Sequence, residues 1–147
     1  MPLRIDDVNE VLDTVGPMAR QELQTILLLG GTNKQLPFGR GALYGAYYPA
    51  RQLIAVHAFP KHRMQVASNR PPSPTIAQSI RRVGGEIKSV SGKTVVSLDE
   101  PAVGRFLKWH VLVHEIAHHI DRHNPKTRRK TESFAEWFTT SVGFSST

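Results

Sequence analysis

Two histidines one helical turn apart, in an apolar stretch near the carboxyl terminus, are the clearest chemical feature of this chain. His114, Glu115 and His118 form the pattern His-Glu-x-x-His. Residues i and i+4 project from the same face of an α-helix, so both imidazoles can bind one metal ion. The glutamate beside the first histidine can then reach a water molecule on that ion. Residues 106–121 contain neither glycine nor proline, and we predict that they form one buried helix.

A pair of glutamates with the same spacing follows this helix. Pro125 breaks the first helix, and a second helix is predicted from residue 126, carrying Glu132 and Glu136 on one face. A catalytic zinc ion usually has three protein ligands and leaves its fourth position to water. We therefore expect Glu132 to be the third ligand. Glu136 is expected to accept a hydrogen bond from the outer ring N–H of a ligating histidine.

This order of a histidine pair, a short connection and a Glu-x-x-(Ala/Ser)-(Asp/Glu) helix resembles the gluzincin branch of the zincin metallopeptidases. Within that branch it is most similar to the compact ImmA/IrrE-type peptidases and the minigluzincins. The resemblance covers residues 109–138 and implies Zn²⁺, a general base at Glu115 and the metal ligands His114, His118 and Glu132. Glu136 matches an acid that is more often Asp in this family. Its longer side chain leaves open which of the two glutamates binds the metal.

The spacing excludes two other zincin types. Metzincins require Gly three residues and His six residues after the second histidine, where this chain has Asp121 and Asn124. SprT-like proteases need a further downstream histidine, and none follows His123. Glutamate is therefore the only third ligand that the sequence offers nearby.

Other polar residues around the helix have less specific roles. His119 points about 100° away from His118 and is expected to be structural or exposed. His110 lies one turn before His114 and is expected to be a spectator. A developing oxyanion needs a positive or hydrogen-bonding group, for which the sequence offers these candidates without choosing between them: His123, Arg122, Tyr44, Tyr47 and Tyr48.

Hydropathy and turn residues predict the elements that position these groups. The predictions along the chain are helical periodicity over 5–29 with a break at Gly16-Pro17, a β-hairpin over 43–58, a basic Pro-rich loop over 59–74, a helix over 75–83 capped by Thr75, and a second hairpin over 86–98. The predicted fold is a single α+β domain, residues 1–147, of a minimal zincin-like type. A small mixed sheet would pack on the active-site helix, and the glutamate helix would follow. An edge strand of the 86–98 hairpin is the expected partner for a peptide substrate.

Composition limits the class of protein. The 147 residues include 39% hydrophobic residues, enough for a core, and no cysteine, so disulfides are excluded. The first residues carry acids where a signal peptide would carry bases. The longest apolar run, over 26–29, is too short to cross a bilayer. We expect a cytoplasmic protein without membrane contact.

The net charge of +7 suggests two kinds of partner. Basic clusters occur in the middle of the chain and in the connection between the two metal-binding helices, and could attract an acidic protein substrate or hold nucleic acid. No helix-turn-helix, zinc-finger or RNA-binding signature accompanies them. The sequence thus predicts a zinc-dependent metalloendopeptidase that hydrolyses peptide bonds of a protein substrate. The alternative is a basic nucleic-acid-binding module with an inactive or structural zincin motif.

Overall fold

The computed structural model describes residues 2–30, 44–57, 65–122 and 128–146. In chain order the helices and strands are α1 (Ile5–Val15), α2 (Pro17–Arg20), β1 (Thr25–Leu29), β2 (Gly45–Tyr48), β3 (Leu53–His57), β4 (Gln65–Ser68), α3 (Pro74–Arg82), β5 (Glu86–Val90), β6 (Lys93–Ser97), α4 (Glu100–Phe106), a π-helical segment (Leu107–Leu112), α5 (Val113–Ile120) and α6 (Arg128–Ser146). The predicted α+β class is confirmed.

The strands form two small sheets. The first is mixed and has the order β1-β3-β2, with β1 parallel and β2 antiparallel to β3. The second is antiparallel and has the order β4-β6-β5. Ser91 and Gly92 have φ angles of 51° and 77°, which suits the tight turn of a two-residue hairpin loop. Both predicted hairpins are present.

A long central helix, made of α4, the π-helical segment and α5, runs through the core. It begins where the Asp99 carboxylate accepts a hydrogen bond from the Ala102 N–H at 2.8 Å. Its apolar side chains are buried along its whole length, including Phe106, Leu112 and Ile116. The predicted helix over 106–121 is therefore present, but a π-helical turn lies immediately before the His-Glu-x-x-His pattern, where such turns often mark functional sites.

Three sequence-based predictions of local structure are wrong. Residues 25–29, predicted as part of a helix, form a strand whose side chains alternate between an exposed outer face and a core-facing inner face. A short apolar run does not distinguish a strand from a helix. Residues 65–68, predicted as loop, pair with β6. The cap of α3 is Ser73, whose hydroxyl accepts a hydrogen bond from the Ile76 N–H at 3.3 Å; Thr75 lies inside the helix.

Some predicted features fall outside the described residues. They are the helix break at Asn124-Pro125, the helix start at Lys126, the oxyanion candidate His123 and residues 59–64 of the predicted basic loop. In the part of the chain that is described, no helix is both long and apolar enough to cross a membrane.

Candidate metal centre

The structure brings together the three predicted metal ligands. His114 and His118 project from one face of α5, and Glu132 reaches them from α6. The two histidine Nε2 atoms are 3.2 Å apart. Glu132 Oε2 lies 3.3 Å from His114 Nε2, and Glu132 Oε1 lies 3.1 Å from His118 Nε2. One potential ligand atom from each of the three residues therefore lies within 4.8 Å of the other two.

These separations fit a tetrahedral metal ion. Zinc binds nitrogen and oxygen ligands at about 2.0–2.2 Å, so two ligands at tetrahedral angles stand roughly 3.3 Å from each other. The distance between the two imidazoles lies close to that value, and so does the shortest distance from the Glu132 carboxylate to each imidazole, one made by each of its oxygens. The donor set of two imidazoles and one carboxylate is also one that catalytic zinc ions use. The residues present therefore fit a zinc ion.

The charges of the cluster are coupled. Hydrogen bonds from His114 and His118 hold the pKa of Glu132 far below its usual range. Burial opposes the charged form of His118, but its hydrogen bond to Glu132 and the neighbouring carboxylates raise the pKa of His118 above its ordinary value. The cluster thus keeps a carboxylate ionised between two imidazoles, as a metal ligand must be.

Helix α6 holds Glu132 in place by packing closely against α5. Ala135, one turn after Glu132, is fully buried, and its small side chain allows this close approach. Thr139 is also fully buried and satisfies its hydroxyl by donating to the Ala135 carbonyl at 2.7 Å. Phe138 packs against the core, whereas Trp137 remains 63% exposed. Phe138 therefore helps to anchor α6 on the core, whereas the exposed Trp137 does not.

Glu115 lies in the wall of a cavity next to the cluster. The residue is 8% exposed. Burial raises the pKa of its carboxyl group, the Glu132 carboxylate adds to the rise, and His114 and His118 oppose it. A raised pKa suits a carboxylate that has to accept a proton and release it again near neutral pH.

Strand β2 covers Glu115, and Gly45 makes this possible. A Cβ at residue 45 would stand 2.7 Å from Val111 Cγ1 and 2.9 Å from Glu115 Cγ. Real Cβ atoms essentially never come that close, so another residue would push the strand away from the helix. The sequence contains no local feature that singles out Gly45, because its neighbours at 111 and 115 are distant in the chain.

Strand β2, whose Gly45 lines the cavity, is an outer strand of its sheet. The Tyr44 carbonyl accepts a hydrogen bond from the His57 N–H at 2.8 Å, and Gly45 pairs with Val56 in register. Backbone groups alternate in direction along an antiparallel strand, so those of Gly45 and Tyr47 point away from β3. In the described ranges no strand pairs with β2 on that side. The predicted edge in the 86–98 hairpin is wrong as the strand beside the site, because no residue of that hairpin lines the cavity.

A buried hydrogen-bond chain fastens β2 to the end of α5. His119 is fully buried, its Nε2 lies 2.7 Å from the Gln21 carbonyl, and its Nδ1 lies 2.9 Å from the Tyr47 hydroxyl. Since a carbonyl only accepts, Nε2 carries the proton and Nδ1 accepts from Tyr47. The predicted structural role of His119 is consistent with this arrangement. The Tyr47 hydroxyl is thereby engaged away from the cluster.

The remaining candidates for stabilising an oxyanion lie at different distances from the cluster. Arg122 is bound to the Glu22 carboxylate at 2.9 Å and to the His119 carbonyl at 2.8 Å. Tyr48 is 48% exposed and does not line the cavity. Tyr44 does line it, and burial raises the pKa of its hydroxyl to about 12. Of the oxyanion candidates that the structure describes, Tyr44 is the one beside the cluster.

Glu136 lines the same cavity from α6. It is exposed, and among the described hydrogen bonds none joins its carboxylate to a histidine ring. The predicted hydrogen bond from a ligating histidine to Glu136 is therefore not made in the structure. The physical reason is the length of one helical turn, which places Glu136 beyond Glu132 along the cavity wall and away from the imidazoles.

The cavity extends from the cluster along the central helix. Its volume is about 230 Å³. Its lining consists of Tyr44, Gly45, Ser73, Thr75, Ile76, Phe106, His110, Val111, His114, Glu115, Glu132 and Glu136. The predicted spectator His110 is part of this wall. Burial and the neighbouring His114 lower the pKa of His110 to about 3, so its ring is neutral.

Comparison of this chain with protein-family models, with characterised proteins and with solved structures finds no match.

Proposed function

We propose that this chain is a zinc-dependent metalloendopeptidase that hydrolyses peptide bonds of a protein substrate. The observation that supports this most strongly is the set of ligand separations of 3.1–3.3 Å among His114, His118 and Glu132, with the Glu115 carboxylate in the wall of the adjoining cavity. The gluzincin resemblance of the sequence points to the same function.

Each residue has a role in this proposal. His114, His118 and Glu132 would hold Zn²⁺, which when bound lowers the pKa of a coordinated water towards about 7 and polarises a carbonyl group. Glu115 takes a proton from water in the cavity and later delivers it to the leaving amine. Its burial favours the protonated form after the first transfer, which leaves the carboxyl ready for the second.

The substrate would bind as an extended peptide along β2. The outward backbone groups of Gly45 and Tyr47 can pair with a peptide strand irrespective of its sequence, and Gly45 lies directly above Glu115. Pairing at this edge would bring a peptide bond to the cavity. We also propose that the protein is cytoplasmic, as predicted from the sequence.

A nucleic-acid-binding module with an inactive motif is the second candidate, favoured by the charge of +7. Several described basic side chains, including Arg81, Arg82 and Lys93, are exposed. No described lysine or arginine lines the cavity, whereas three glutamates do. The net positive charge of the protein therefore does not favour an acidic substrate side chain inside the cavity.

Metal content and hydrolysis together test the proposal. We expect the purified protein to carry about one zinc per chain by elemental mass spectrometry, and to cleave an unfolded protein substrate until a chelator is added. His118→Ala should lose both properties. A protein that takes up no zinc when supplied with it, or that binds zinc and cleaves no substrate, would contradict the proposal.

A further inference from the structure

The cavity beside the metal cluster contains a buried histidine that the proposed chemistry does not use. His110 lies in the π-helical segment and is 9% exposed. Its Nδ1 is 2.6 Å from the hydroxyl oxygen of Ser79, which is 1% exposed. The ring stacks on Phe106 with 4.9 Å between centroids and an angle of 8°. The imidazole is thus held in one orientation by α3 on one side and by the helix core on the other.

Its second ring nitrogen is free to meet a ligand. Ser79 occupies Nδ1, and within the described part of the chain Nε2 has no hydrogen-bond partner. Since the His110 ring lines the cavity, Nε2 is the polar atom that this wall can offer. A ligand that fills the cavity without reaching Nε2 would deprive it of hydrogen bonds to water, which is costly.

The other walls favour an apolar body. Phe106, Val111 and Ile76 are apolar, and the first two are almost fully buried. A charged side chain would have to leave water for this surface, and an acidic one would also meet the glutamates of the cavity. The volume of about 230 Å³ lies below the roughly 300–1,000 Å³ of drug-sized ligand sites. It therefore suits a single large side chain.

We propose that this cavity is a substrate side-chain pocket that takes one bulky, uncharged side chain with a hydrogen-bonding tip, such as tyrosine, and that His110, oriented by Ser79, binds that tip. The inference rests on the proposed function in so far as the ligand is a peptide. It names the substrate class: extended segments with an aromatic, hydroxyl-bearing residue next to the bond that is cut.

Binding of short peptides tests the pocket without requiring hydrolysis. The probes are acetyl-Ala-Ala-X-Ala-Ala-amides in which X is Tyr, Phe, Leu, Ala, Glu or Lys. Dissociation constants are measured by NMR titration on the Glu115→Gln protein. We expect X = Tyr to bind at least about five-fold more tightly than X = Phe, because Phe leaves a buried ring nitrogen unsatisfied. Glu and Lys should bind more weakly than either aromatic residue.

Two sets of variants assign the preference to the pocket. Ile76→Phe narrows the cavity and should remove the advantage of Tyr and Phe over Ala, whereas the matched change Ile5→Phe, at an exposed position of α1, should leave it unchanged. The double variant Ser79→Ala, His110→Phe removes both members of the hydrogen bond. This variant should bind the Tyr and Phe peptides with equal dissociation constants.

The outcomes separate the pocket from the proposed function. Equal binding of all six peptides, no binding of any, or a Tyr preference that survives both Ile76→Phe and the double variant would overturn the pocket. If the peptides bind in the expected order but the zinc-supplied wild-type protein cleaves none of them, the pocket stands and the peptidase function fails.

Discussion

Gly45 on strand β2 lies directly against Glu115 on helix α5, so that a Cβ at position 45 would stand 3.0 Å from Glu115 Oε1. This contact joins the strand that a peptide would pair with to the carboxylate that would move the proton. In the proposed reaction, the distance between the substrate backbone and Glu115 would therefore be set by a residue without a side chain.

Gly45→Ala should displace β2 from α5. We expect a loss of about 1–3 kcal/mol in the free energy of unfolding, because an added methyl group overpacks the contact, and a loss of hydrolysis of at least about ten-fold with zinc still bound. Urea unfolding and zinc content measure the two effects. Gly30→Ala is the matched control, since a Cβ there meets no atom within 4 Å. Unchanged activity in Gly45→Ala would show that the spacing is unimportant.

Glu115→Gln should abolish hydrolysis and leave zinc bound. The amide cannot accept the proton, and loss of general acid–base catalysis typically costs about 10²–10⁴-fold in rate. The metal ligands at 114, 118 and 132 are untouched by the change. The measurement is hydrolysis together with zinc content, with His114→Ala as the comparison that should lose the metal. Loss of zinc from Glu115→Gln would mean that this carboxylate is a ligand.

Replacing each of the two glutamates of α6 by alanine should have a different effect on zinc binding. Glu132→Ala removes a group within 3.3 Å of both imidazoles and should leave the protein largely metal-free. Glu136→Ala should retain zinc and lose only part of the activity, because its carboxylate lines the cavity without bonding to either histidine. Zinc titration with a competing chelator distinguishes the two. Loss of zinc from Glu136→Ala and its retention in Glu132→Ala would show that Glu136, one helical turn further along, is the ligand.

Acid should weaken the attachment of α1 to the central helix. Lys108 Nζ contacts Asp7 Oδ1 at 3.1 Å and also the Glu10 carboxylate. The backbone hydrogen bond from Arg4 and, after a smaller opposing effect of burial, the contacts with Lys108 hold the pKa of Asp7 below its ordinary 3.8. A depressed pKa stabilises the fold above pH 3.8, and this contribution is lost as the pH falls through the lower folded value.

Asp7→Asn should therefore destabilise the protein at pH 7 by about 1 kcal/mol. The difference from wild type should shrink below pH 3.8 as Asp7 itself becomes protonated. Urea unfolding at several pH values measures both quantities, and Asp6→Asn, on the same exposed turn, is the control. A difference that stays constant down to acid pH would contradict this role of the carboxylate.

The basic surface should be independent of catalysis. We expect any binding of double-stranded DNA to weaken steeply with salt, because phosphate contacts release counterions. Reversal of Arg81, Arg82 and Lys93 to glutamate should make the salt dependence shallower and leave peptide hydrolysis unchanged, since none of them lines the cavity. DNA binding that persists at high salt, in a protein that cleaves no peptide, would favour the second candidate function.

Sequence spacing alone was enough to predict which three residues would form the cluster. Positions i and i+4 on one helix place His114 and His118 side by side whatever the rest of the chain does. Glu132 follows on the next helix, and the small Ala135 lets the helices approach. The two hairpins and the helix over 74–82 were also predictable, because turn residues and alternating hydrophobicity act within a few neighbours.

The surroundings of the site were decided by contacts between distant parts of the chain. Strand β1 was predicted as helix because its short apolar run suits either structure, and only its parallel pairing with β3 decides between them. Gly45 above Glu115, Tyr47 with His119 and Ser79 with His110 are each joined across at least 31 positions. No local pattern encodes such pairs, since packing of the sheet and of α3 against the central helix creates them. The sequence determined which atoms can bind a metal. The tertiary structure determined which strand lies beside them, how deeply Glu115 is buried and which residues line the cavity.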